Sequence, residues 1–86
     1  MQIRYHKRFE KHYQKLSDEL KNKVQQKIAV FSQNPLDRQL KNHALTGKLF
    51  GKRAFSVTGD MRVIFEEFED YTLVLFVDVG THNQVY

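Results

Sequence analysis

The 86-residue chain has no cysteine, which excludes disulfide staples and thiolate metal centres. Its longest apolar stretch, Thr72 to Val77, falls far short of the ~20 residues that a membrane helix needs. The opening residues, Met1-Gln2-Ile3-Arg4-Tyr5-His6-Lys7-Arg8, contain no apolar core of a signal peptide, so the expected location is the cytoplasm, with no membrane partner. No internal repeat, low-complexity segment or nucleotide-binding glycine loop is visible. Each half of the chain is also short of one charge. Residues 1–56 hold 13 Lys/Arg against 4 Asp/Glu, a balance of +9, whereas residues 57–86 hold Arg62 alone against 6 Asp/Glu, a balance of −5. Such asymmetry fits a polyanion partner for the basic part. The plainer alternative is a set of solvated, lysine-rich helix faces.

What is present makes one domain, residues 1–86. Phe9, Tyr13, Leu16 and Leu20 recur at helical spacing, and Leu20, Val24, Ile28 and Phe31 continue the stripe. Ser17, followed by Asp18 and Glu19, interrupts it as a helix N-cap with acids in the first turn. The spacing predicts two helices, about 7–16 and 18–33, the second ended by Asn34-Pro35. Residues 36–51 are polar, with one possible helical turn from Leu36 to Leu40, and Gly47 and Gly51 punctuate their end. The period then changes to two. Arg53, Phe55 and Val57 share one side and Lys52, Ala54 and Ser56 the other. Thr58-Gly59-Asp60 reads as a hairpin and Glu69-Asp70 as a second turn. Beyond it, Leu73, Leu75, Val77 and Val79 alternate with Val74, Phe76 and Asp78. Three strands in an antiparallel meander follow, with Ile3 and Tyr5 as a short edge strand. The predicted fold class is α+β: an N-terminal helical hairpin packed on one face of a small, mainly antiparallel sheet. The opposite face would collect Lys52, Ser56, Arg62 and the residues after Asp78 as a wet, charged surface.

Four histidines are candidates for chemistry. His6 and His12 lie among lysines and read as surface residues. His43 lies in the loop before the sheet, and His82 follows the last strand, four residues before the phenol of Tyr86. Each could instead fix a loop by hydrogen bonding. Metal-ligand spacing is absent, and neither Ser32 nor Ser56 stands in a nucleophile elbow. What remains is acid–base chemistry with no metal and no cofactor. RNA cleavage needs a base for the 2′-OH, a cation for the phosphorane and an acid for the leaving 5′-oxygen. Histidine serves as acid or base near neutral pH, and arginine grips phosphate with two N–H groups.

The run from Leu45 to Phe65, with Leu45-Thr46-Gly47 and Gly51-Lys52-Arg53, resembles the RelE/ParE superfamily of bacterial toxins. Gly80-Thr81-His82-Asn83-Gln84-Val85-Tyr86 resembles the closing motif of its YafQ-like branch. The resemblance implies the toxin of a type II toxin–antitoxin pair, an endoribonuclease that cleaves mRNA on the ribosome without a metal, bound in the cell by a cognate antitoxin. It implies catalytic roles for His43, Asp60, His82 and Tyr86, and phosphate contacts for Arg53, Arg62 and Lys52. Ser56 stands where the YafQ pattern has another histidine, and Lys52 where an aromatic is common. Two alternatives stay open: a non-enzymatic toxin that poisons DNA gyrase, as in the ParE branch, and a catalytically decayed RNA-binding domain.

Overall fold

The computed structural model describes all residues, 1–86. The chain runs through β1 (Gln2–Tyr5), α1 (Lys7–Gln14), α2 (Asp18–Gln33), a 3-10 turn at Arg38–Leu40, β2 (His43–Ala44), a second 3-10 turn at Gly47–Leu49, β3 (Arg53–Ser56), β4 (Met61–Phe68), β5 (Leu73–Thr81) and α3 (His82–Val85). α2 has its predicted limits, 18–33, whereas α1 ends at Gln14 rather than at Leu16. His6 caps α1, its Nδ1 accepting the Arg8 N–H at 3.0 Å, and the Ser17 hydroxyl accepts the Leu20 N–H at the start of α2. Asn34 is already extended, with φ −155°, as a residue before proline must be.

The five strands form one sheet in the order β1-β5-β4-β3-β2. β3, β4 and β5 are the expected antiparallel meander, and β1 lies parallel to β5, with Gln2 opposite Leu73 and Tyr5 opposite Phe76. Both helices cover one face. There Phe9, Val24, Ile28 and Phe31 pack on Phe55, Val63, Phe65, Val74 and Phe76. Phe31 is the hub, fully buried, with ring centroids 4.9 Å from Phe55 and 5.0 Å from Phe65.

The structure departs from the sequence reading at several points: His43, read as a loop residue, lies in the short strand β2, and the residues after β5 form the helical turn α3. The strict alternation along β5 breaks, because Ile64 pairs with Asp78 while Phe65 pairs with Phe76. Val77 is the extra residue of a β-bulge, and the bulge returns Val79 to the helix-side core with Val74 and Phe76. Asp78 is buried and bonded at 2.6 Å to His12, which is therefore a structural partner of the sheet rather than a free surface residue. Lastly, the opposite face is not uniformly wet. Ala54 and Ile64 are fully buried there under Leu45, Leu49 and Val85, because the 45–49 segment and α3 fold over the middle of the sheet.

Candidate active site

Sheet register fixes the floor of the site. Ser56, Arg62 and Gly80 stand side by side across β3, β4 and β5, on the face that the helices leave open. His43 pairs with Ala54 on the neighbouring row. Three strand spacings, roughly 14 Å, separate β2 from β5, so His43 and His82 flank Arg62 from opposite sides.

α3 carries His82 and Tyr86 back over the sheet. The turn depends on Gly80, where an added Cβ would meet Gln84 Oε1 at 2.8 Å and Val85 Cγ1 at 3.2 Å. Gln84 in turn accepts the Thr81 N–H at 2.8 Å and closes the first turn of the helix. The His82 N–H donates to the Asp60 carbonyl at 3.0 Å, which ties α3 to the β3–β4 hairpin. The His82 and Tyr86 rings then meet edge to face, with centroids 4.3 Å apart. Tyr86 also lines a small pocket together with Leu45 and Leu49. Burial raises its phenol above the ordinary tyrosine value, partly offset by the Arg62 guanidinium. Tyr86 is therefore a neutral O–H donor at physiological pH.

The remaining groups are poised for chemistry in different degrees. Neither the Asp60 carboxylate nor the His82 imidazole has a hydrogen-bond partner in the chain, and both residues are exposed. Arg62 donates Nη1 to the Thr58 and Met61 carbonyls at 3.0 and 3.1 Å, which aims the guanidinium and leaves its other N–H groups open. His43 shares Nδ1 with the Lys41 carbonyl at 2.9 Å. A carbonyl only accepts, so Nδ1 carries the proton and Nε2 of the neutral ring is the free base. No three His, Asp or Glu side chains converge as a set of metal ligands.

The sequence model of the family described as bacterial toxin of type II toxin–antitoxin system, YafQ, matches residues 1–86. The chain belongs to the YafQ family. Among curated proteins no sequence matches. Solved structures agree on the fold. YafQ from Escherichia coli strain BL21(DE3) is 24% identical, with 98% of this chain and 96% of that chain covered and a TM-score of 0.77. A YoeB/ParE toxin from Agrobacterium tumefaciens is 15% identical over 95% of this chain and 99% of that one, at a TM-score of 0.78. The RelE of a RelE–RelB complex from Pyrococcus horikoshii is 17% identical over 98% and 97%, at 0.75. YafQ from E. coli also occurs in a complex with DinJ, at 25% identity over 98% and 96% and a TM-score of 0.69.

Within this YafQ-family toxin, the structure gathers Asp60, Arg62, His82 and Tyr86 at one end of the open face, with His43 at its β2 edge. It does not bring Arg53 there. Arg53 pairs with Phe65 on the helix side, and its Nε donates to Asn42 Oδ1 at 2.9 Å. Asn42 also donates to Tyr71 Oη and the Pro35 carbonyl, so Arg53 helps to fix the chain just before β2, the strand that carries His43. Lys52 lies 3.9 Å from Glu66, away from the Ser56–Arg62–Gly80 row. Lys27 and Lys41 went unread in the sequence. They line a groove with Ser56 and Arg62, and no local pattern distinguishes them from the other lysines of the basic half.

Proposed function

We propose that this type II toxin is a metal-independent endoribonuclease that cuts mRNA held on the ribosome. The observation that carries the reading is the cluster itself: a free imidazole, a free carboxylate, a neutral phenol and an anchored guanidinium on one open face. His43 Nε2 takes the proton of the 2′-OH, whose oxygen attacks the adjacent phosphorus. Arg62 neutralises the equatorial oxygens of the phosphorane. His82, in its protonated form and tied by its backbone N–H to the Asp60 carbonyl, gives a proton to the departing 5′-oxygen. The products are a 2′,3′-cyclic phosphate and a 5′-hydroxyl. Tyr86 supplies a ring for base stacking and an O–H for a phosphate oxygen. Ser56 takes no part in proton transfer, because a hydroxyl is not an acid at neutral pH.

The site is shallow and has a single aromatic platform. Such a surface gains most from a substrate already held in line for attack, which a ribosome-bound mRNA provides. A cognate antitoxin is the second partner, as DinJ is for YafQ and RelB for RelE in the complexes of those proteins. The +9 balance of residues 1–56 suits an acidic antitoxin segment.

The test is mRNA end-mapping on translating ribosomes with wild type and His82→Ala. Wild type should give codon-phased cuts, and the folded variant should lose about 10²–10⁴-fold in rate. No cuts by wild type, together with inhibition of DNA gyrase, would replace this reading with the ParE-like one. Full activity of folded His82→Ala would remove His82 from the mechanism.

A further inference from the structure

A basic groove opens at the tip of the β3–β4 hairpin. Lys27 from α2, Gln39 from the 3-10 turn and Lys41 beside β2 face Ser56, Thr58 and Arg62 across it. Its lining holds three cations and no carboxylate, and Val57 is the only apolar residue. Its lysines are not idle surface charges. Lys27 Nζ donates to Gln39 Oε1 at 2.7 Å, which orients the ammonium and leaves two of its protons for a ligand. Lys41 stands at φ 51°, a left-handed position that glycine or asparagine would occupy with less strain. Arg62 belongs to both places, lining the groove and reaching the phenol of Tyr86 by its charge.

We infer that this groove binds the RNA backbone of the strand being cut, at a phosphodiester next to the scissile one. The inference rests on the ribonuclease reading. Arg62 is the shared post. The strand passes from the His82–Tyr86 pair over Arg62 and Ser56, and its next phosphate settles between Lys41 and Lys27. Ser56 is then a small polar floor that lets the backbone approach, where a larger ring would fill the passage. The ligand is a diester rather than a base, because the lining offers hydrogen-bond donors and cations but no aromatic ring.

The test is fluorescence anisotropy with a short, uncleavable 2′-O-methyl RNA at KCl from roughly 50 to 200 mM. Lys27→Met keeps the aliphatic stem, and Lys41→Asn suits the left-handed backbone. Each should lower the slope of log affinity against log salt by about 0.7, and the double variant by both amounts. Lys23→Met, which removes an equal charge elsewhere on α2, should leave the slope unchanged. Matched circular dichroism and thermal unfolding keep folding out of the comparison. A double variant with the wild-type slope, in a protein that binds and cuts RNA, overturns the groove alone. A wild type that neither binds nor cuts RNA overturns the ribonuclease reading and the groove with it. If the double variant loses affinity only for a polyglutamate peptide, the groove belongs to a protein partner and the proposal fails.

Discussion

Tyr86 is held as a phenol by its surroundings, and its stability contribution has a definite sign. Burial raises its folded-state value above the unfolded one, with Arg62 opposing. The stabilisation is therefore complete below the ordinary tyrosine value of about 10 and disappears as pH rises through the raised value. In Tyr86→Phe the ring remains against His82 but cannot ionise. Thermal unfolding followed across the alkaline range should show a shallower decline for this variant, and parallel curves would contradict the assignment. At this scale the sequence was informative wherever a residue type carries its own chemistry. His82, Asp60 and Tyr86 stood out as an imidazole, a carboxylate and a phenol near strand ends. Other roles were invisible because they depend on distant partners. His6 caps a helix and His12 bonds Asp78 across 66 positions of sequence, and neither tie leaves a local mark.

α3 is a single turn whose placement depends on two residues that do no chemistry. Gly80 makes room for it, and Gln84 closes it on the Thr81 amide. Gln84→Ala should loosen His82 and Tyr86 and reduce cleavage at a stability cost of about 1 kcal/mol. Gly80→Ala should do the same by driving the Gln84 side chain away. The two changes share one contact, so a double-mutant cycle in unfolding should give a coupling above ~0.5 kcal/mol. Strict additivity would mean that the contact does not hold the turn. Helices and strands were legible because their periods differ, 3.6 against 2. The bulge at Val77 was not, since an inserted residue is defined only against its partner strand. The turn after β4 was legible as a turn, but not its path. Glu69, Asp70 and Tyr71 all have positive φ, held by the Glu67 carboxylate on the Tyr71 N–H and by Tyr71 packing against Phe31 and Phe65.

The whole molecule relies on one small aromatic core. Phe31 touches Phe55, Phe65, Tyr71 and Phe76, so its removal opens a cavity bounded by both layers. Phe31→Ala should cost about 3–5 kcal/mol, a large part of the stability of a domain this size, and lower the melting temperature by more than about 12 °C. Phe50→Ala, at a residue 81% exposed, should change stability by less than about 0.5 kcal/mol. Equal effects would mean that the core is organised around other rings. The layered α+β architecture was readable from sequence because it follows from patterning alone. The second apolar cluster under Leu45, Leu49 and Val85 was not, because those residues come from separate segments that meet only after the sheet has formed.

The position of β5 has a consequence for how the toxin is made. This strand is bonded to β1 on one side and β4 on the other, so Gln2–Tyr5 must wait for residues 73–76 before they have a partner. Such pairing between distant parts of a chain is slow and cannot be rehearsed by a fragment. A growing polypeptide with α1 and α2 already made still lacks the strand that closes its core, and His82 and Tyr86 follow later still. Order of synthesis thus postpones closure: a ribosome producing this chain carries an open sheet until β5 has been made and can join β1 to β4.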